Sequence, residues 1–241
     1  MEQKNMIVAK GIEKAFPMGD GGQFYALKGI DVEIPKGKLI ILKGRSGSGK
    51  TTLLNMLSTL DTPTEGEIYL DGENMSGLSE TEKEYLRRAK LGFVFQSVAL
   101  IPVMNAYENV DFSLRLSTFE AEEHLDDVIV LSEEDRHTRI MDVLSLVGME
   151  ERCLHMPGQM SGGEQQRIAI ARAIVHKPKV LFADEPTGAL DTEMGLKIVK
   201  LFRLLVEKEG ITIIMTTHDP GLMELGDVVF EMEDGEIIDR M

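Results

Sequence analysis

Gly44, Arg45, Ser46, Gly47, Ser48, Gly49, Lys50, Thr51 and Thr52 fit the pattern G-x-x-x-x-G-K-[ST]. The pattern sits between the apolar run Leu39-Ile40-Ile41-Leu42 and the helix-like run Leu53-Leu54-Asn55-Met56-Leu57. Glycines let successive backbone N–H groups converge on phosphate oxygens, a lysine at position 50 reaches the β/γ-phosphates, and a Thr51 hydroxyl suits Mg²⁺. A helix opening at Lys50 adds partial positive charge at its N-terminus. The chemistry implied is a cradle for nucleotide phosphates.

Two further clusters could work on such a phosphate. Asp184 and Glu185 close the apolar run Lys179-Val180-Leu181-Phe182-Ala183, where two acids are costly without cations or a task. Asp184 suits the ion, directly or through water, and Glu185 suits a general base for the attacking water. The second cluster is Ser161-Gly162-Gly163-Glu164-Gln165-Gln166-Arg167, ahead of a helical run. Ser161 and Glu164 have capping-box spacing, and paired glycines expose N–H groups to an anion. One chain has no use for two such grips on one nucleotide.

The elements that must position these residues follow from periodicity. Residues 6–69 read as short strands, with a loop at Gly19-Asp20-Gly21-Gly22 and a hairpin turn at Asp71-Gly72, suggesting an antiparallel sheet beside the cradle. Residues 80–90 read as a charged helix, Gly92-Phe93-Val94-Phe95 as a strand, and 106–147 as mainly helical with an interruption. The runs 179–183 and 211–215, separated by a helical pattern over 193–207, suit buried parallel strands. Their carboxyl ends carry Asp184-Glu185 and Thr217-His218, where α/β sheets collect nucleotide chemistry. A last hairpin turns at Asp234-Gly235.

The 241 residues suffice for one α/β domain or a core with an appended subdomain. Lys and Arg number 26 against 41 Asp and Glu, a net charge of -15 that argues against broad nucleic-acid binding. The single cysteine, Cys153, excludes an internal disulfide, fits a reducing cytosol and suits a small buried hydrophobe. The start lacks a signal-peptide pattern and no run is long and apolar enough to span a bilayer, so a cytosolic chain, held at a membrane by a partner, is expected. The five histidines and Cys153 lack metal-ligand spacing.

With these motifs in this order, the chain resembles an ATP-binding cassette (ABC) ATPase, the motor subunit of ABC transporters, over almost its whole length. Residues 44–51 match Walker A, Gln96 the Q-loop, residues 161–165 the signature, residues 180–185 Walker B with its glutamate, Ala189-Leu190-Asp191 the D-loop, and His218 the switch histidine. The resemblance implies one α/β P-loop NTPase domain over 1–241, with an antiparallel β subdomain mainly within 6–75 and a helical signature subdomain at about 97–165. It also implies a head-to-tail homodimer in which Ser161 and Gly163 of one chain contact the γ-phosphate held by Lys50 of the other. ATP is the nucleotide and Mg²⁺ the ion, held by Thr51, Gln96 and Asp184. Gln96 senses Mg²⁺ and the attacking water, Asp191 links the two sites, and His218 contacts the γ-phosphate. Phe16 lies where the family places an aromatic against adenine; Tyr25 is a second candidate, and either residue could instead be sheet core.

Details of residues 44–55, Leu60-Asp61, 92–96, Glu108-Asn109-Val110 and 184–191 resemble a bacterial branch of lipoprotein-release, macrolide-export, peptide-resistance and cell-division ATPases. Their membrane permeases often do mechanical work outside the cytoplasm, and what is transported is read by the permease. Glu164 replaces the signature's more widespread glutamine, a variation familiar in this branch. Residues 118–135 are longer and more acidic than in relatives, expected as a solvated extension or as a contact for a basic permease segment. The run Leu100-Ile101-Pro102-Val103-Met104 is the better partner site by resemblance, since the family's permease helix docks near there; alternatively it is subdomain core.

Overall fold

The central strand β3 (Leu39–Lys43) shows how one sheet serves two cores. Four consecutive apolar residues are buried, and they divide by parity: Leu39 and Ile41 join one cluster, Ile40 and Leu42 the other. Successive side chains of a strand point to opposite faces, so a strand covered on both sides reads as unbroken apolar sequence. The computed structural model describes residues 5–19, 21–118 and 131–241.

Beside β3 lie β6 (Leu91–Val94), β7 (Val180–Ala183), β8 (Thr212–Thr217), β9 (Val228–Glu233) and β10 (Glu236–Arg240), in the order β10-β9-β3-β8-β7-β6. All neighbours run parallel except β10, which returns from β9 through the turn at Asp234 and Gly235. The second sheet is antiparallel, in the order β2-β1-β4-β5, from β1 (Asn5–Pro17), β2 (Gln23–Pro35), β4 (Glu65–Leu70) and β5 (Glu73–Asn74). Asp71 and Gly72 make the β4–β5 turn with both φ angles positive, the geometry that two-residue hairpins require. The antiparallel sheet expected beside the cradle and the parallel pairing of 179–183 with 211–215 are both present.

One face of the parallel sheet is covered by α3 (Ala106–Thr118), α4 (Glu133–Leu146), α5 (Gly162–Ile174) and α6 (Thr192–Glu209), through Val110, Ile140, Ile170 and Phe202 among others. The other face is covered by α1 (Lys50–Leu57), α2 (Glu80–Ala89) and the antiparallel sheet, through Leu53, Leu86, Ile12 and Leu27. Asp71 ties the two sheets: it accepts from the ammonium groups of Lys36, just past β2, and of Lys179 (2.8 Å), just before β7. These cations hold its carboxyl down at about 2.

Residues 119–130, the centre of the acidic segment, lie outside the described residues, as does Asp20 in the expected β1–β2 loop. Phe95 falls just beyond β6 and stacks on Phe93, with ring centroids 6.0 Å apart. Cys153 is half-buried, packed against the larger helical core. Among the described residues no helix is long and apolar enough to cross a membrane.

Candidate active site

Five of the six described helices begin conventionally. Ser79, Ser132, Ser161 and Asp191 each accept from a backbone N–H in the first turn of α2, α4, α5 and α6, Asn105 does so for α3, and an acid follows in every first turn. Such groups satisfy the orphan N–H donors and complement the helix dipole. α1 has neither a side-chain cap nor an acid in its first turn. Its donors and its field are left for a ligand, and an anion is the chemistry that fits.

The loop before α1 is shaped for close approach. Gly49 holds φ at 99°, and a Cβ there would sit 2.8 Å from the Ala26 carbonyl oxygen. A Cβ on Gly44 would meet the Met232 carbonyl oxygen at 2.4 Å. Arg45, Ser46 and Gly47 form the exposed crest, Thr52 is half-buried, and the buried Ser48 hydroxyl has no hydrogen-bond partner among the described residues. Lys50 is buried, its ammonium donating to the carbonyls of Gly44 (2.8 Å) and Arg45 (2.9 Å). Burial pushes the Lys50 ammonium below the ordinary lysine range, while Glu185 and Asp184 pull it back up.

Across the sheet, β7 delivers its two acids to this loop. Thr51 donates to Asp184 Oδ1 (3.1 Å), and so does Thr216 (2.7 Å); the Thr216 oxygen in turn accepts from the Glu185 N–H (2.8 Å). Glu185 has φ of 44°, a left-handed conformation rare for a residue with a side chain. That turn brings its carboxylate between Gln96 Nε2, which donates to Oε2 at 3.3 Å, and His218 Nδ1, 3.5 Å from Oε1. Gly188 packs against Gln96 and Glu185: a Cβ there would lie 3.2 Å from Gln96 Nε2 and 3.5 Å from Glu185 Oε2. Lys50, Thr51, Gln96, Asp184, Glu185 and His218 thus converge from four separated segments.

The signature residues stand apart from this cluster. Ser161 caps α5, its N–H donating to Glu164 Oε2 (2.8 Å) and its hydroxyl accepting from the Glu164 N–H (3.3 Å), so the expected capping box is present. Hydrogen bonds from Ser161 hold the Glu164 carboxyl below its usual range. Ser161 and Gly162 are exposed, whereas Gly163 is buried against Met194. Asp191, exposed, caps α6 by accepting from the Met194 N–H (2.8 Å). Asp191 also lines a pocket together with Glu185, Thr217 and His218.

Near the cradle, Phe16 and Tyr25 are 40% and 42% exposed, so neither belongs to the sheet core. Lys14 Nζ lies 5.3 Å from the Phe16 ring centre. Phe16 pairs across the strands with Phe24, an exposed aromatic that sequence reading passes over. A register shift between Lys14 and Ala15 sets that pairing, and bulges leave little trace in sequence.

A groove of about 480 Å³ opens beside Phe95, the residue before Gln96, and is lined by Leu60, Phe93, Ile101, Phe112 and Leu116 among others. The expected partner run contributes only in part: Ile101 lines the groove, Leu100 packs on the core, and Val103 is 79% exposed.

A parallel sheet with an uncapped, glycine-framed helix start, a lysine over that loop and two acids on the strand opposite defines a P-loop nucleotide hydrolase. The chain matches the sequence model of the ABC transporter family over residues 27–188, and it belongs to that family as an ATP-hydrolysing cassette. It is 41% identical to an uncharacterized ABC transporter ATP-binding protein, MJ0796, of Methanocaldococcus jannaschii, over 96% of this chain and 95% of that protein. It is 39% identical to the lipoprotein-releasing system ATP-binding protein LolD of Bacteroides fragilis, over 97% of this chain and all of that one. A dimeric, post-hydrolysis structure of MJ0796 bound to ADP and Pi superposes with a TM-score of 0.86 at 38% identity, covering 98% of both chains.

Proposed function

We propose that this cassette is the motor of a membrane transporter, working as a homodimer that closes on ATP and opens after hydrolysis. The observation that carries the reading is the contrast between α1, uncapped over the catalytic cluster, and α5, whose glycine-marked start is exposed with nothing to bind in its own chain. Two copies placed head to tail give each α1 an α5 of the other chain, so the γ-phosphate is gripped from both sides. Ser161, Gly162 and Gly163, beside Glu164, supply the second grip, and Asp191, at the start of α6, lies along the same face. A helical lobe over about 97–165, ending in the first residues of α5, beside a β lobe within 6–75 carrying the base-stacking aromatics, is the division of the chain that suits this closure.

In the first grip, backbone N–H groups of residues 44–52 and the Lys50 ammonium bind the phosphates. Thr51, Asp184 and Gln96 would hold Mg²⁺; the paired hydroxyl and carboxylate at 3.1 Å and the partnerless Ser48 hydroxyl fit a hard cation and phosphate oxygens. When bound, the ion neutralises charge on the β- and γ-phosphate oxygens. Glu185 takes the proton of the attacking water, with Gln96 and His218 on its two oxygens holding its orientation. Phe16, with Tyr25 as the alternative, stacks on adenine. Contacts made only while γ-phosphate is present bias the closed dimer, and cleavage removes them.

The groove beside Phe95 takes a cytosolic helix of an integral permease, and this holds the cassette at the cytoplasmic face of the membrane. The likeness to LolD supports export or mechanical work beyond the membrane as the output, and the charge of -15 supports no nucleic-acid partner. The test is mass spectrometry of what copurifies with the tagged chain from gently solubilised host membranes. A stoichiometric permease is the expected result; ribosomal or DNA-bound partners without a permease would overturn the transporter reading.

A further inference from the structure

The segment that follows Gln96 is held by an arginine from the helix that begins with the signature residues. Arg172 Nη1 donates to the Ala99 carbonyl (2.6 Å) and Nη2 to the Val98 carbonyl (3.3 Å). Among the described residues no carboxylate lies within ion-pair reach of Arg172, and burial alone pushes its guanidinium below the ordinary arginine range. Half-buried beside an open groove, the guanidinium exchanges part of its hydration for two main-chain carbonyls of one loop. Ala99 carries φ of 47°, a left-handed conformation that is costly in a residue with a side chain and persists where neighbours over-determine it.

The far end of the same loop is fixed too. Asn109, fully buried in α3, accepts from the Ile101 N–H (2.8 Å) and donates to the carbonyls of Ile101, Met104 and Asn105. Residues 98–105 are therefore bound to α5 by Arg172 and to α3 by Asn109. Gln96 lies two residues before the first clamp and donates to Glu185 at 3.3 Å. Arg172 also lines the groove beside Phe95 and Ile101. It lies ten residues from Gly162 on α5, about 15 Å along the axis at the α-helical rise.

We infer that Arg172 is a positioning residue for hydrolysis: it fastens the Gln96 loop to the signature helix, so that Gln96 meets Glu185 only when α5 and the groove are in register with the core. The inference rests on the role proposed for Gln96 and adds the residue that sets its position. A displacement of α5, or an occupant of the groove that pulls on Val98 and Ala99, moves Gln96 relative to Glu185 through a guanidinium and two hydrogen bonds.

The test is a double-mutant cycle in ATP turnover with Arg172→Met and Gln96→Ala, reading kcat and KM for MgATP separately. Arg172→Met should lower kcat about tenfold with KM within about twofold, since a small misplacement of a catalytic group acts on turnover and not on binding. Arg172→Lys, which keeps a cation and a donor, should recover most of that loss. In the Gln96→Ala background Arg172→Met should cost less than about twofold more, because the group it positions is gone. An undiminished kcat in Arg172→Met, or an equal tenfold loss on top of Gln96→Ala, would overturn the inference while leaving Gln96 its role. Normal turnover by Gln96→Ala alone would remove that role and the inference with it. Should Arg172→Met fail to fold, the cycle is read with Arg172→Gln, where a kcat loss confined to the Gln96-containing background supports the inference, and no loss or a background-independent loss contradicts it.

Discussion

Two helices of this chain start with glycine, and they start differently. α1 follows Gly49 in a left-handed conformation, without a cap and without an acid, over a buried lysine. α5 follows Ser161 with a complete capping box, and its first glycine faces solvent with nothing closer than Leu190 at 3.9 Å to an added Cβ. The first arrangement forgoes a local cap and leaves its donors for a ligand; the second is capped by its own Ser161 and leaves Gly162 at the surface. On the proposed reading, a chain with both carries half of a site and the complement of that half, so that two copies would act on each nucleotide.

The largest effect should come from stopping chemistry while leaving both helix starts intact. Glu185→Gln should reduce kcat by about 10²–10⁴-fold, the range for loss of a general base, yet leave an ATP-dependent dimer that gel filtration detects. Turnover near the wild-type rate would remove Glu185 from that role. Next, Lys50→Ala and Gly162→Glu should separate the two helices. Loss of the buried ammonium should weaken ATP binding by about 10–100-fold, on the scale of hydrogen bonds to charged groups. Gly162→Glu, at an exposed position with open space, should leave binding and melting temperature unchanged while abolishing turnover. Equilibrium binding of a fluorescent ATP analogue reads the difference.

Smaller effects bear on stability. Ser161→Ala removes the α5 cap and should cost about 1 kcal/mol, a fall in melting temperature of about 2–4 °C for a chain of this size. The smallest concerns the brace between the sheets. The Asp71 carboxyl titrates at about 2 in the fold against 3.8 ordinarily, so its stabilisation is complete above the ordinary value and drains away as pH falls from there towards 2. Asp71→Asn should cost about 1 kcal/mol at neutral pH after allowance for partial exposure. The gap between the two proteins in urea denaturation should close as the pH approaches the lower value; a constant gap would place the effect elsewhere.

Much of the α1 half was legible in the residues, because backbone geometry there demands particular types: Gly44 and Gly49 where a Cβ collides, Lys50 and Thr51 at fixed reach. The parallel strands were legible because burial on both faces leaves continuous apolar runs such as Leu39 to Leu42. The groove was not, since Leu60, Phe93, Phe112 and Leu116 come from separate segments that meet only in the fold. Nor was Arg172, whose partners are main-chain carbonyls and carry no side-chain pattern. Phe24 escaped because strand bulges set its register with Phe16. Ser161 and Glu164 were readable as a cap, and that reading says nothing of which chain the exposed Gly162 serves.

The composite site can be tested by mixing two inactive proteins. Lys50→Ala lacks the first grip and keeps α5; Gly162→Glu lacks the second and keeps α1. Random pairing in an equal mixture gives heterodimers with one intact site, so turnover should return to about a quarter of the wild-type rate per chain, half the dimers having half their sites. A mixture as inactive as its components would contradict the account, because each nucleotide would then be served by one chain alone.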